Sequence, residues 1–135
     1  MIKILWESLT TKYFQFSGRA SRKEYWTIYL LVSLACYIVF FIIKNHDILG
    51  LRIVYLSVFI LFFIGIPSIS VTVRRLHDIN FSGWWFLTII FFEVWGNDFF
   101  NNSMKGFVIT IIPDIIVGFI KGTPTTNKYG KPPVN

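Results

Sequence analysis

Two long uncharged stretches, each bounded by polar residues, dominate the chain. Tyr25 to Ile43 gives 19 residues without a charged side chain, and Ile53 to Val73 gives 21. About 20 apolar residues in a helix cross the roughly 30 Å hydrocarbon core of a bilayer. Beyond Gly83 the pattern breaks up. Apolar residues run from Trp84 to Phe92, give way to Glu93, Asn97, Asp98, Asn101, Asn102 and Lys105, and resume from Gly106 to Ile120 around Pro113-Asp114. The second of these pieces reaches only about 22 Å as a helix, and one straight crossing would have to hide the polar middle. The pair therefore reads as two short spans or two halves of a re-entrant hairpin. The expected fold class is all-α: an integral membrane helical bundle of about four transmembrane helices, the last two short or re-entrant.

Local signals sharpen the boundaries. Ser21 and Glu24 stand three apart just ahead of the first stretch, the spacing of a capping box in which the hydroxyl takes a backbone N–H and the carboxylate reaches back. Pro67 removes one backbone donor and crowds the carbonyl of Phe63, which predicts a kink in the second span. Asn80 is the expected helix stop. Ser82 is placed to cap the next helix, with Trp84 and Trp85 at headgroup level, where amphipathic rings concentrate.

Composition agrees with a membrane setting: 54% hydrophobic and 19% aromatic residues against 15% charged, with a mean hydropathy of +0.59. A water-soluble domain of 135 residues could not keep that balance off its surface. A net charge of +6 and a pI near 9.6 raise the question of nucleic acid. The cations, however, sit between apolar stretches rather than in a stripe with exposed aromatics, so nucleic acid is not an expected partner. Cys36 is the only cysteine and falls inside an apolar run, which leaves no disulfide framework and no zinc spacing. Lys3, Glu7, Lys12, Arg19, Arg22 and Lys23 all precede the first long run, unlike a cleavable signal peptide.

Charge counting sets the topology. With four crossings, the N-terminal arm, the Arg74-Arg75 loop and the tail share one side with ten Lys and Arg, against Lys44, Arg52 and Lys105 on the other. That is a strong positive-inside bias, with both ends cytoplasmic. The expected layout is a single membrane domain over 1–135: an amphipathic or irregular cytoplasmic arm over 1–20, helices over 21–43, 53–78, 82–95 and 105–120, and a cytoplasmic tail over 121–135.

Three motifs then stand in order along the chain. They are Phe16-Ser17-Gly18-Arg19-Ala20-Ser21-Arg22-Lys23-Glu24-Tyr25-Trp26; Arg74-Arg75-Leu76-His77-Asp78 with Ser82-Gly83-Trp84-Trp85; and Lys121-Gly122-Thr123-Pro124 with Asn127-Lys128-Tyr129-Gly130. In content and spacing the set resembles the signatures of the domain-of-unknown-function family 805, small bacterial inner-membrane proteins. The resemblance covers nearly the whole chain. It is weakest from Glu93 to Lys105 and at Lys131-Pro132-Pro133, where a proline, acidic residue, proline ending is more usual. It implies a helical protein of the bacterial inner membrane, and no established activity, substrate or cofactor.

The densest chemistry lies at Arg74 to Asp78. On a helix Arg74, His77 and Asp78 share a face by their spacing, while Arg75 points about 100° away. One reading is an anion or phosphate site with Arg74, Arg75, Arg19 and Arg22 as donors and His77 as a proton carrier oriented by Asp78. The favoured reading is structural: Asp78 and Glu24 neutralise these arginines and lock the cytoplasmic ends of the first two long helices together.

Sharper enzymatic ideas fail on spacing. His46-Asp47 falls on the opposite membrane face from His77-Asp78 in this topology. Two histidines and one cysteine give no three-ligand zinc centre. Ser68 has no nucleophile elbow around it, and no Walker loop or dinucleotide fingerprint is present. Asn101-Asn102-Ser103 matches a glycosylation pattern by chance. Asp114 and Glu93 interrupt apolar runs, where a carboxylate is costly unless it faces protein, water or a cation. They define the alternative function, a small oligomeric membrane transporter or channel using an intramembrane carboxylate. The leading expectation is a non-enzymatic inner-membrane protein without a cofactor, whose Arg/His/Asp cluster organises the fold and engages anionic phospholipid headgroups or a protein partner, a second copy included. A membrane enzyme using His77 and Asp78 ranks third.

Overall fold

The computed structural model describes residues 2–45, 50–99 and 104–133. His46-Asp47 and Asn101-Asn102-Ser103 lie outside the described residues, as does the side chain of Glu93. The described chain is helical: α1 (Ile2–Leu9), α2 (Arg22–Lys44), α3 (Leu51–Asp78), a 3-10 turn (Gly83–Trp85), α4 (Phe86–Phe99) and α5 (Met104–Phe119). Its only strand-like pairing is a single bridge between Asn127 and Gly130.

Two helices, α2 with 23 residues and α3 with 28, are long and apolar enough to cross a membrane; at 1.5 Å per residue they reach about 35 and 42 Å. Their surfaces point the same way. Leu30, Leu34, Phe41, Leu56, Phe59 and Phe62 are exposed, whereas Arg74, Arg75, Glu24 and Asp78 are buried. Water would penalise this inside-out distribution, and hydrocarbon favours it. α4 and α5, with 14 and 16 residues, pack chiefly on each other and join the α2–α3 pair near the Asp78 end. A small apolar core there unites Ala20, Tyr25, Ile28, Leu76, Ile89 and Val117.

The helix ends explain how the chain turns. Ser21 is the N-cap of α2, its hydroxyl accepting the Glu24 N–H at 3.2 Å. The second half of the expected capping box is replaced, because the Glu24 carboxylate turns to Arg74 instead, at 2.7 Å. A buried guanidinium offers a charged donor, which outcompetes a neutral backbone N–H. α3 closes in a Schellman motif: Asn80 takes a positive φ of 66°, its N–H reaches His77 O at 3.1 Å, and the Phe81 N–H reaches Leu76 O at 2.9 Å. Ser82 then caps the 3-10 turn, accepting from the Trp84 N–H at 3.4 Å.

The N-terminal segment, expected to be amphipathic or irregular, packs against both long helices. Its first eight helical residues form α1, and its continuation is pinned to α3, with Ser70 Oγ donating to Gln15 O at 2.6 Å. α3 runs unbroken through Pro67. Proline deprives the carbonyl four residues earlier of its donor, and that carbonyl, Phe63 O, accepts from Tyr13 Oη at 2.7 Å. The arm thus satisfies the backbone group that the proline released.

Candidate functional site

The site is a buried ionic cluster where the N-terminus of α2, the C-termini of α3 and α5, and the tail meet. Asp78, 3% exposed, is its hub. Arg19 approaches side-on, Nε at 2.8 Å and Nη2 at 2.7 Å from Asp78 Oδ1, while Arg75 Nη1 donates to Oδ2. One carboxylate therefore holds two guanidiniums that water hardly reaches.

Both arginines direct their remaining donors to carbonyls. Arg75 Nε donates to Val117 O at 3.0 Å and its Nη2 to Ile120 O, which satisfies orphan carbonyls at the end of α5 and sets a cation against its dipole. Arg19 Nη1 donates to Thr125 O at 2.7 Å and Gly130 O at 3.2 Å, and Nη2 donates to Thr123 O. The tail answers in kind at the end of α3. The Thr123 N–H reaches Asp78 O at 2.9 Å, and Asn127 Nδ2 reaches His77 O at 2.9 Å.

A second group lies alongside. Arg74 Nη1 donates to Glu24 Oε1 at 2.7 Å, and the same oxygen receives Lys12 Nζ at 3.3 Å. Arg74 Nε and Nη2 make no hydrogen bond among the described residues. The Ala20 N–H closes on Arg74 O at 3.0 Å, tying the segment before α2 to the backbone of α3.

The helical-wheel expectation for the pentad is corrected here. It grouped Arg74 with His77 and Asp78 and sent Arg75 elsewhere; in the structure Arg75 pairs with Asp78 and Arg74 turns to Glu24. Residues three apart also share a helix face, so the wheel permits either grouping, and the position of Glu24 on α2 decides. Arg22 pairs with neither carboxylate and stands exposed. It borders a polar cavity of about 280 Å³ together with Ser21 and Thr123.

His77 is not oriented by Asp78. Its Nδ1 lies 3.1 Å from Gly18 O, and its ring stacks on Tyr129 with centroids 3.8 Å apart and planes 7° from parallel. An Asx turn places that tyrosine, Asn127 Oδ1 accepting the Tyr129 N–H at 2.9 Å. His77 lies past the uncharged stretch that ends at Val73. Burial holds its imidazole below the usual histidine range; the contact with Gly18 opposes the lowering and Lys128 adds to it.

Among the other sequence candidates, Asp114 is buried in α5 and accepts from Tyr25 Oη at 2.9 Å, far along the chain from the pentad but linked to the start of α2. Sequence reasoning missed the tail as a structural partner, and also Ser8, Lys12 and Gly122. Gly122 has a steric reason for being glycine: a Cβ there would overlap the Asp78 carboxylate. Gly118 likewise admits Trp26, whose Cζ2 would lie 2.5 Å from an added Cβ.

The arrangement defines a helical membrane-type protein closed at one end by buried arginine–carboxylate pairs and a folded tail. The chain belongs to the family described as proteins of unknown function, DUF805, whose model matches residues 13–131. It is 35% identical over 127 residues to the inner membrane protein YhaI of Escherichia coli K12, covering 93% of this chain and 92% of that protein. It is 30% identical over 128 residues to the uncharacterized protein YiiR of the same strain, covering 87% and 85%. No solved structure matches it.

Proposed function

We propose that this chain is a non-enzymatic, multi-pass protein of the bacterial inner membrane, crossing four times with both ends cytoplasmic. In this reading the buried cluster locks the cytoplasmic helix ends, and the cations left outside it hold anionic phospholipid headgroups. The name of the YhaI relative supports the location, and the lopsided distribution of Lys and Arg supports the orientation.

One observation carries the headgroup reading. Arg19, Arg74 and Arg75 are buried against carboxylates, but Arg22, Lys23, Lys121, Lys128 and Lys131 are exposed around the same end and form no ion pair among the described residues. Each such cation near the surface contributes about 1 kcal/mol of attraction to anionic lipid. Arg22 and Ser21 line the polar cavity beside the N-terminus of α2, where a phosphate is favoured. The transporter or channel reading keeps one supporting observation, since Asp114 lines a cleft shared by four helices.

Lipid retention tests the proposal. Purified protein should keep phosphatidylglycerol or cardiolipin over phosphatidylcholine, and the preference should fall as salt shortens the screening length to about 8 Å and below. Arg22→Ala with Lys23→Ala should reduce it. Retention indifferent to charge and salt would overturn the headgroup role. In a Cys36→Ser background, cysteines at Lys23 and Lys128 should be shielded from an impermeant thiol reagent in intact cells while one at Asn102 reacts. Labelling at Lys128 would overturn the four-crossing topology.

A further inference from the structure

The face that α1 turns away from the rest of the protein is apolar, and the segment behind it is tied to a definite level along α3. About 100° of turn per residue gives this short helix three faces. Leu5 and Ser8 point inward, Leu5 packing against the core and Ser8 buried 3.5 Å from Glu24 Oε1. Lys3 and Glu7 pair along a second edge at 4.0 Å. Ile2, Trp6 and Leu9 fall on the third face and are exposed, as is Phe14 just beyond it; Trp6 and Phe14 are each 70% exposed. We propose that this third face inserts into the acyl boundary of the leaflet at the Arg74–Asp78 end, which makes the N-terminal segment an in-plane membrane anchor.

The level of the segment selects lipid. Ser70 Oγ donates to Lys12 O at 3.2 Å and to Gln15 O at 2.6 Å, so the backbone that follows α1 lies beside Ser70. That serine belongs to the uncharged stretch ending at Val73 and stands about 6 Å from Arg74 along α3, toward the middle of the helix. Tyr13 reaches further, its Oη donating to Phe63 O at 2.7 Å. Amphipathic helices at an interface bury their apolar face about 5–10 Å into the boundary between headgroups and acyl chains, which matches this level. Trp6 is the ring type that collects there, and the Lys3–Glu7 edge is left to water.

A partner protein or a second copy is the weaker occupant. Acyl chains are as apolar as the side chains of this face, so exchanging lipid for protein there gains no hydrophobic driving force. Insertion of Ile2, Trp6, Leu9 and Phe14 depends on apolar contact, whereas headgroup retention depends on cations. The anchor therefore rests on α2 and α3 crossing the membrane and stands apart from the headgroup reading.

Bimane on a single cysteine of the full-length Cys36→Ser chain, reconstituted at high dilution in phosphatidylcholine vesicles, tests this. With lipid spin-labelled near the carbonyl end of its acyl chain, labels at Trp6→Cys and Phe14→Cys should be quenched about twofold or more over one at Thr126→Cys, an exposed tail position. Phe14→Cys leaves Trp6 in place, so that result does not depend on losing the larger ring. Quenching should be unchanged by salt or by added phosphatidylglycerol, whichever lipid the protein prefers. Labels at Trp6 and Phe14 quenched no more than at Thr126 would overturn the anchor and leave the face to a protein partner. Quenching that appears only as the protein is diluted would overturn it in favour of a second copy. A label at Leu56→Cys, exposed on α3, should be quenched throughout; its failure would overturn the crossing itself and the anchor with it.

Discussion

Replacing Asp78 by Asn isolates the hub of the cluster with the smallest change of shape. The amide can still accept a hydrogen bond, but Arg19 and Arg75, each with a side chain 1% exposed, lose the only carboxylate that either contacts among the described residues. Removing one partner of a buried ion pair costs about 3–5 kcal/mol, mostly the penalty of an uncompensated charge. Native domains are stable by only about 5–15 kcal/mol, so the loss is a large fraction of the whole. At about 4 °C per kcal/mol for a chain of this size, Tm should fall by about 12–20 °C. Five tryptophans make intrinsic fluorescence during heating in detergent a sufficient assay. Arg19→Met alone should also destabilise, because it frees the tail carbonyls at Thr123 and Thr125. Combined with Asp78→Asn, however, it removes one of the two stranded cations, so the double variant should recover at least about 4 °C relative to the sum of the singles. Strict additivity would refute the pairing as the origin of the stability.

Two further outcomes concern the same end of the molecule. Gly122→Ala should lower stability by about 1–3 kcal/mol as an overpacking change; added to Asp78→Ala it should cost almost nothing, because the overlapping carboxylate is gone, and an undiminished cost there would contradict the steric account. His77 has a folded pKa below its unfolded value of about 6.5, so the unfolded chain takes up the proton first. Its contribution is present above about pH 6.5 and lost as the pH falls through the lower folded value. Wild-type Tm should therefore drop more between about pH 7 and pH 5 than that of His77→Asn, and parallel profiles would exclude the effect.

What could be read from the chain was governed by nearby residues. The uncharged lengths of α2 and α3, the Ser21 cap and the stop at Asn80 each depend on a few consecutive side chains and on helix geometry. Pairing choices depend on distance in space, and so Arg74 and Arg75 could not be assigned to Glu24 and Asp78 from one helix alone. The tail's part was hidden for a different reason. It engages Arg19 through carbonyls, which every residue carries, so only the recurrence of Gly122 and Asn127 in a family motif marked it. The bond from Tyr13 to Phe63 O is similarly obscure: Pro67 announces a deprived carbonyl, but nothing announces a phenol 50 positions earlier in the chain as its new donor.

The clasp between Arg19 and the carbonyl of Thr125 joins residues 106 positions apart. At about 5–20 residues per second of synthesis, Arg19 is made some 5–20 seconds before its partners in the tail exist. Until Asp78 follows, its charge has no carboxylate to hold, and water is the lowest-energy place for it. The same side chain thus acts at two stages of one lifetime. Before the tail is made, Asp78 is the partner it can hold; once residues 123–130 arrive, it becomes the strut on which they fold. A chain cut short before Gly122 would keep the residues of its helices but lose that closure, leaving Arg19 without the carbonyls of Thr123, Thr125 and Gly130.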